Sequence, residues 1–142
     1  YKYRIYPNNK QKTQFANNFG ACRFVWNWAL EQRNKVYNES LGKKTRTFLK
    51  AGNELTKLKK LDEYKWLNEP ICQSLHCSMI DLDNAFKNFF KKKTGFPKFK
   101  SKKNNRQTFH VPQYVSIDFE KQTLRFVKFR SIKIKIDRKK IL

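Results

Sequence analysis

The sequence contains few of the residues from which catalytic and metal sites are built. Its 142 residues include only 11 acidic residues, two histidines, three cysteines and four glycines. There is no glycine-rich loop of the kind that cradles a phosphate, and no Ser/His/Asp or Cys/His arrangement. We therefore predict no catalytic residue in this chain.

Segments that would carry the chain into or across a membrane are also missing from the sequence. No run approaches the roughly 18 apolar residues that a spanning helix needs, and there is no secretory signal or lipidation motif. The three cysteines are odd in number and lack the spacing of a disulfide framework. We expect reduced thiols, a cytoplasmic protein and no membrane partner.

Positive charge, in contrast, is in large excess. The chain has 33 Lys and Arg against 11 Asp and Glu, a formal net charge of +22 and a pI near 10.1. Because charges of one sign repel each other in the folded state, this excess indicates a polyanionic partner. Aromatic residues make up 15% of the sequence, which is more than a disordered basic tail contains. The composition predicts a folded protein that binds nucleic acid.

Apolar periodicity predicts one strand followed by four helices. Alternation over residues 1–6 predicts the strand. We expect helices over residues 8–19, 21–38 and 47–61 and from Pro70 onward, with a cap at Asn8 or Asn9 and a break at Gly20. The last helix has the clearest apolar stripe, which steps by three or four residues through Ile71, Leu75, Met79, Leu82, Phe86 and Phe89.

The period changes to two near the C-terminus, where residues 115–120 and 132–137 alternate as strands do. A lone N-terminal strand needs partners, and these late strands are the available ones. The sequence therefore predicts an α+β fold, a small antiparallel β-barrel with a four-helix domain inserted after the first strand. The predicted divisions are a first barrel strand (1–7), a helical domain (8–93), a basic loop (94–106) and the remaining barrel strands (107–142).

The strongest functional signal is a basic stretch in which no acidic residue occurs from Asn84 to Ile117. Its lysines can neutralise phosphates, and Phe96 and Phe99 can either stack on unpaired bases or anchor the loop to the core. Three further lysines lie on the outward side of the third helix. The residues predicted to contact the nucleic-acid backbone are Lys57, Lys59, Lys60, Lys87, Lys91, Lys92, Lys93, Lys98, Lys100, Lys102, Lys103 and Arg106.

Three other patterns in the sequence were compared with known kinds of functional site, and none of them predicts one. Helices on either side of Gly20 resemble a helix-turn-helix, but the second is too apolar for a DNA groove. Cys72 and His76 have metal-ligand spacing without a second pair, so no metal is predicted. The carboxylates are not arranged for two-metal catalysis, because we expect Asp81, Asp83, Asp118 and Glu120 to diverge or to cap exposed ends.

Several segments, in order, are similar to the N-terminal half of the transposon-encoded TnpB proteins, which are related to type V CRISPR effector nucleases. These are Tyr3–Pro7, Phe19–Leu30, Leu55–Lys59, Trp66–Leu67, Asp81–Phe90 and Gly95–Lys100. The resemblance implies a wedge-like barrel with an inserted helical recognition domain. It also implies a prokaryotic, nucleoid-associated protein with a role in transposition and DNA recombination.

The same resemblance implies the partners. In this family the two modules hold a guide RNA from the transposon end, its heteroduplex with target DNA, and a short DNA motif beside the target. Cleavage belongs to a C-terminal half with a RuvC-like domain and a zinc ribbon, which would bind the magnesium and zinc. This chain begins without methionine and lacks that half, so we expect part of a longer protein that binds no cofactor itself. The DNA-motif readers implied are Phe48, Gly52, Cys72, His76 and His110.

Two other functions stay open from the residues alone. The charge by itself would fit a stand-alone, nonspecific RNA- or DNA-binding protein. The early helices would fit a transposase-type DNA-binding domain that needs no RNA. His76 could likewise be a structural histidine on a helix flank.

Overall fold

A computed structural model describes residues 2–39, 48–103 and 106–136, with the backbone alone for residues 48–51. Helices and strands segregate along the chain, so the predicted α+β class is confirmed. The elements, in order, are β1 (Arg4–Tyr6), α1 (Asn9–Glu39), α2 (Phe48–Leu58), a 3₁₀ helix (Asp62–Asn68), α3 (Cys72–Phe90), β2 (Ser116–Asp118), β3 (Thr123–Phe126) and β4 (Phe129–Lys135).

The four strands form one antiparallel sheet in the order β1-β4-β3-β2. β1 pairs with β4, with Ile5 opposite Ile134, so the predicted pairing of the first strand with the late strands is confirmed. The predicted closed barrel is wrong, because β1 and β2 are the edges of an open sheet within the described residues. Closure needs enough tilted strands to surround a filled interior, and here two of the four are only three residues long. Helix α1 covers the apolar face instead, through Phe15 against Phe129.

Helix α1 runs without interruption for 31 residues, so the predicted break at Gly20 is wrong and two predicted helices are one. Glycine inside a helix costs about 1 kcal/mol relative to alanine. Next to it, Ala21, Cys22 and Val25 are buried against α3, and their burial offsets that cost. The fourth helix in the structure is the short 3₁₀ segment after α2, which periodicity did not predict.

The N-terminus of α1 is capped as expected. The Asn8 side chain accepts a hydrogen bond from the Gln11 backbone N–H at 2.8 Å, and the Gln11 side chain accepts one from the Asn8 N–H at 2.9 Å. This reciprocal arrangement satisfies two backbone donors at the start of the helix. The Gln11 amide also donates to the backbone carbonyl of Arg130 at 2.7 Å, which ties the helix start to β4.

Helix α3 forms the central wall of the helical core. Its predicted stripe is confirmed, since Leu75, Met79, Leu82 and Phe86 are all buried. Leu55 of α2 packs into the same core with α1. Helix α3 therefore contacts both of the other α-helices, α1 on one side and α2 on another.

A lysine joins the sheet to the start of α3. The Lys128 ammonium, in the turn between β3 and β4, donates to the carbonyls of Asn68 and Glu69 at 2.8 Å and of Pro70 at 3.0 Å. Lys128 has a positive φ of 66°, and its own carbonyl accepts a bond from the Gln14 side chain at 3.1 Å. These bonds fix the β3–β4 turn against both α1 and the chain before α3.

Candidate nucleic-acid interface

The basic stretch after α3 is held against α1 by hydrogen bonds. The Trp26 indole N–H donates to the Lys98 carbonyl at 2.9 Å. The Asn27 amide pairs with both backbone groups of Lys100, donating to its carbonyl at 3.0 Å and accepting from its N–H at 2.8 Å. Pro97, directly before the first of these anchors, is buried. The backbone at Lys98 and Lys100 is therefore fixed, while the Phe99 side chain between them is exposed to solvent.

Lys87 and Lys100, among the predicted backbone-binding residues, are engaged within the protein. Lys87 pairs with Asp83 one helical turn away, at 3.1 Å. The Lys100 ammonium lies 4.1 Å from the centre of the Trp26 ring, a cation–π contact. Lys91, Lys92 and Lys93 are exposed and form no ion pair with a carboxylate in the described ranges. These three are therefore the best placed to neutralise phosphates.

The remaining predicted basic residues lie in two places. Lys98, Lys102, Lys103 and Arg106 are exposed along the stretch that follows α3. Lys57, Lys59 and Lys60 are at the end of α2, near the opposite end of α3, where the Lys59 ammonium lies 3.5 Å from the Cys72 sulfur. The predicted basic residues therefore lie at both ends of α3 and also along its length, where Arg106 lines a pocket with Ser74 and Asp81.

Three of the predicted DNA-motif readers share the contact between α2 and α3. Cys72, His76 and Met79 follow an i, i+4, i+7 pattern on one face of α3. A Cβ built on Gly52 would lie 4.0 Å from the Met79 side chain, so Gly52 faces the same stripe. The side chain of Phe48 lies outside the described residues.

His110 is separated from that group. Its carbonyl accepts a 2.6 Å bond from the Ser74 hydroxyl, and its imidazole is 4.0 Å from the Asp81 carboxylate. Ser74 and Asp81 lie on the opposite side of α3 from His76, since successive helical residues rotate by about 100°. The structure therefore places the two histidines on different faces of the helix.

The environment of His76 favours the neutral form of its imidazole. Burial lowers its pKa, and the nearby Lys59 ammonium lowers it further. A neutral imidazole has one donor and one acceptor nitrogen, which suits a base edge. The reading role assigned to His76 stays a prediction.

Cys22 and Asp83 are held by structural contacts. Burial raises the pKa of the Cys22 thiol more than its hydrogen bond with Ser78 lowers it. Burial also raises the pKa of Asp83, but bonds from Arg33 at 2.6 Å and from Lys87 outweigh it and hold the pKa below its ordinary value. No three His, Cys, Asp or Glu side chains within the described ranges are grouped to hold a metal ion.

The solvent face of the sheet is a second basic surface that the sequence analysis missed. Across the β1–β4 pair, Arg4 is opposite Lys135 and Tyr6 is opposite Lys133, all exposed. The Arg4 guanidinium lies 5.7 Å from the centre of the Tyr6 ring. Alternation predicted that Lys133 and Lys135 face outward, but only the register brings them beside residues from the other end of the chain.

Residues 1–44 match a family model described as a helix-turn-helix domain, of the OrfB/IS605 type. The match spans β1 and α1, and α2 begins shortly after it ends. Helix-turn-helix proteins place the second of two helices in the DNA major groove. Residues 2–39 contain one α-helix rather than two, so the turn of such a motif does not lie at Gly20.

Similarity also extends over most of the chain. InsQ of Escherichia coli K12 is 37% identical over 84% of this chain, and a protein of Streptomyces pristinaespiralis is 35% identical over 75% of it. Both have been assigned the name RNA-guided DNA endonuclease, and the matches cover 29% and 26% of their lengths. Virulence protein VsdF of Salmonella dublin is 33% identical over 69% of this chain and 88% of its own length.

Among residues 2–39, 48–103 and 106–136, no helix has both the length and the apolar character needed to cross a bilayer.

Proposed function

Since the chain belongs to the TnpB family of transposon-encoded proteins, we propose that it binds guide RNA and target DNA for an RNA-guided DNA endonuclease. The observation that carries the proposal is the row of exposed, unneutralised lysines at the end of α3, next to a backbone that α1 holds in place. Contacts to backbone phosphates supply most of the affinity in such complexes, because each lysine that neutralises a phosphate releases counterions that were condensed on the nucleic acid.

Two further surfaces, the solvent face of the sheet and the contact between α2 and α3, suit different parts of this task. The open sheet face offers Arg4, Lys133 and Lys135 with the Tyr6 ring, which fits contacts to the sugar–phosphate backbone and to bases of the guide RNA. The α2–α3 contact, with Gly52, Cys72 and His76 beside Lys59, fits reading of a short DNA motif. His110 would reach nucleic acid from the other face of α3. Residues 8–93 serve as the recognition domain in this proposal, and the partners include a C-terminal nuclease half.

The decisive experiment is to purify the chain from cells that carry the parent transposon and to sequence the bound RNA. A single structured RNA from the transposon end supports the proposal. RNA of heterogeneous sequence in proportion to its abundance would overturn it in favour of nonspecific binding. A charge-matched protein of similar size, purified in parallel, controls for simple capture of RNA by a basic surface.

A second candidate is DNA binding without RNA, which the helix-turn-helix description of residues 1–44 favours. It predicts tight binding to duplex ends of the transposon after nuclease treatment has removed all RNA. The guide-RNA proposal predicts that the same treatment abolishes sequence preference. Comparing end and scrambled duplexes before and after the treatment therefore separates the two.

A further inference from the structure

The C-terminal end of α3 carries an aromatic surface that none of the proposed contacts uses. Phe90 is 59% exposed and Phe96 is 48% exposed. Phe89, Phe90, Lys92 and Thr94 line a shallow groove there, which we call the aromatic shelf. Because large apolar side chains gain free energy by burial, two half-exposed phenylalanine rings side by side contribute little to stability.

Contacts below the surface hold the rings of the shelf in place. Phe96 meets Phe89 edge-on at 5.2 Å between ring centres and meets the buried Phe86 at 5.5 Å. Phe90 lies nearly parallel to Phe86 at 6.3 Å. The arrangement leaves part of each ring open to solvent while it limits rotation. A ring fixed in this way loses little entropy when a flat ligand stacks on it.

The backbone at Lys92 is unusual for its residue type. It has a φ of 58° just after the helix, a position that glycine or asparagine usually occupies. Its N–H closes the helix end by donating to the Phe89 carbonyl at 3.0 Å. A lysine is a less stable choice than glycine at this position. The Lys92 side chain lines the groove beside Phe89 and Phe90.

The charge around the shelf identifies its occupant. Lys92 lines the groove, and its neighbours in the chain, Lys91 and Lys93, are exposed. No acidic residue occurs from Asn84 to Ile117, and no described carboxylate pairs with these lysines. An aromatic surface bordered by cations fits a ligand with a flat π-face next to a negative charge. A nucleotide has both, and only an unpaired base has a free face.

We propose that the aromatic shelf binds an unpaired nucleobase, stacked on Phe90, with its phosphate on Lys92. The inference rests on the proposed nucleic-acid function and adds strand selection to it. The Phe90 ring adds affinity for a single strand, such as one displaced from a duplex, whereas Lys92 can contact a phosphate of either form.

The test compares wild type with Phe90→Ala on a single strand of about 12 nucleotides and on a duplex of the same sequence. Base stacking on an aromatic ring predicts a loss of about 5- to 150-fold in single-strand affinity. Duplex affinity should change less than about twofold. Phe119→Ala is the matched control, because Phe119 is 54% exposed and lies in the turn after β2.

Two further variants separate base stacking from simple apolar contact. Phe90→Trp should preserve single-strand affinity, whereas Phe90→Leu, which keeps an apolar side chain, should lose it. A 2-aminopurine placed in the strand should be quenched on binding to wild type and less quenched with Phe90→Leu. Full affinity in Phe90→Leu would overturn stacking and favour an apolar protein partner.

Equal losses of single-strand and duplex affinity in Phe90→Ala would assign the ring a structural role and also overturn the inference. If wild type binds neither the single strand nor the duplex, the proposed function fails as well. If wild type binds both and Phe90→Ala is silent, only the shelf is wrong.

Discussion

Removing four lysines at the end of α3 should reduce the salt dependence of nucleic-acid binding by a calculable amount. The variant replaces Lys91, Lys92, Lys93 and Lys98 with glutamine. Lys87 and Lys100 are left intact, because they contact Asp83 and Trp26 and their loss would also disturb the fold. Glutamine keeps much of the side-chain length and removes only the charge.

The magnitude follows from counterion release. Each lysine that neutralises a phosphate contributes about 0.7 to 0.9 to the slope of log affinity against log salt. Four contacts therefore contribute about 2.8 to 3.6 to that slope, or an affinity loss of about 50- to 150-fold between about 50 and 200 mM salt. The variant should bind much more weakly than wild type at low salt, and its slope should be shallower by about three.

The assay is fluorescence anisotropy with labelled RNA and duplex DNA across that salt range. The control replaces Lys10, Lys12, Lys35 and Lys121, which are also exposed, and so changes the net charge by the same amount. If only total charge matters, both variants will show the same slope. A slope in the α3 variant equal to that of wild type would remove these lysines from the interface.

Three other predictions test the fold and the charge network. Gly20→Ala should stabilise the protein by about 0.5–1 kcal/mol in urea unfolding, because a Cβ there meets only the Arg23 side chain at 3.6 Å; destabilisation would show that the helix needs glycine at this point. Lys128→Met should destabilise by about 2 kcal/mol, since three carbonyls lose a charged donor, and an unchanged urea midpoint would mean that water replaces it fully. The folded-state pKa of Asp83 is depressed, so the stability that its charged form contributes is present above its ordinary pKa of 3.8 and is lost as the pH falls through the folded value. Asp83→Asn should therefore be less stable than wild type to urea at pH 7, and the two proteins should become equally stable in acid.

Local pattern predicted the parts of this fold that depend on local burial. The stripe of α3 was readable because every third or fourth residue is apolar, and the helix is buried along that stripe. The continuation of α1 through Gly20 was not readable from the sequence. Glycine weakens a helix only by about 1 kcal/mol, and packing against a helix that is distant in the chain can offset that cost. The missing closure of the sheet has the same origin, since Phe15 covers a face that a barrel would have closed on itself.

The candidate interface was predictable in composition but not in arrangement. The lysine run and the absence of acids identified the basic stretch from the sequence alone. Which of its lysines are engaged depends on contacts with Asp83 and Trp26, and for Trp26 the partner is more than 70 residues away in the chain. The separation of His76 from His110 likewise depends on which face of α3 the later segment follows, and no local pattern carries that information.

The length of α3 sets the distance between the two parts of the proposed interface. Its 19 residues extend for about 28 Å, with Cys72 beside Lys59 at one end and Lys91 just beyond the other. The phosphates of one strand of B-DNA rise by about 3.4 Å per nucleotide along the helix axis, so a duplex that lies parallel to α3 needs about eight base pairs to reach from one end to the other. An unpaired nucleotide on the aromatic shelf needs only the lysines at the C-terminal end. Affinity for duplexes should therefore rise steeply with length until both ends are engaged, whereas short single strands should already show most of the contribution from the shelf.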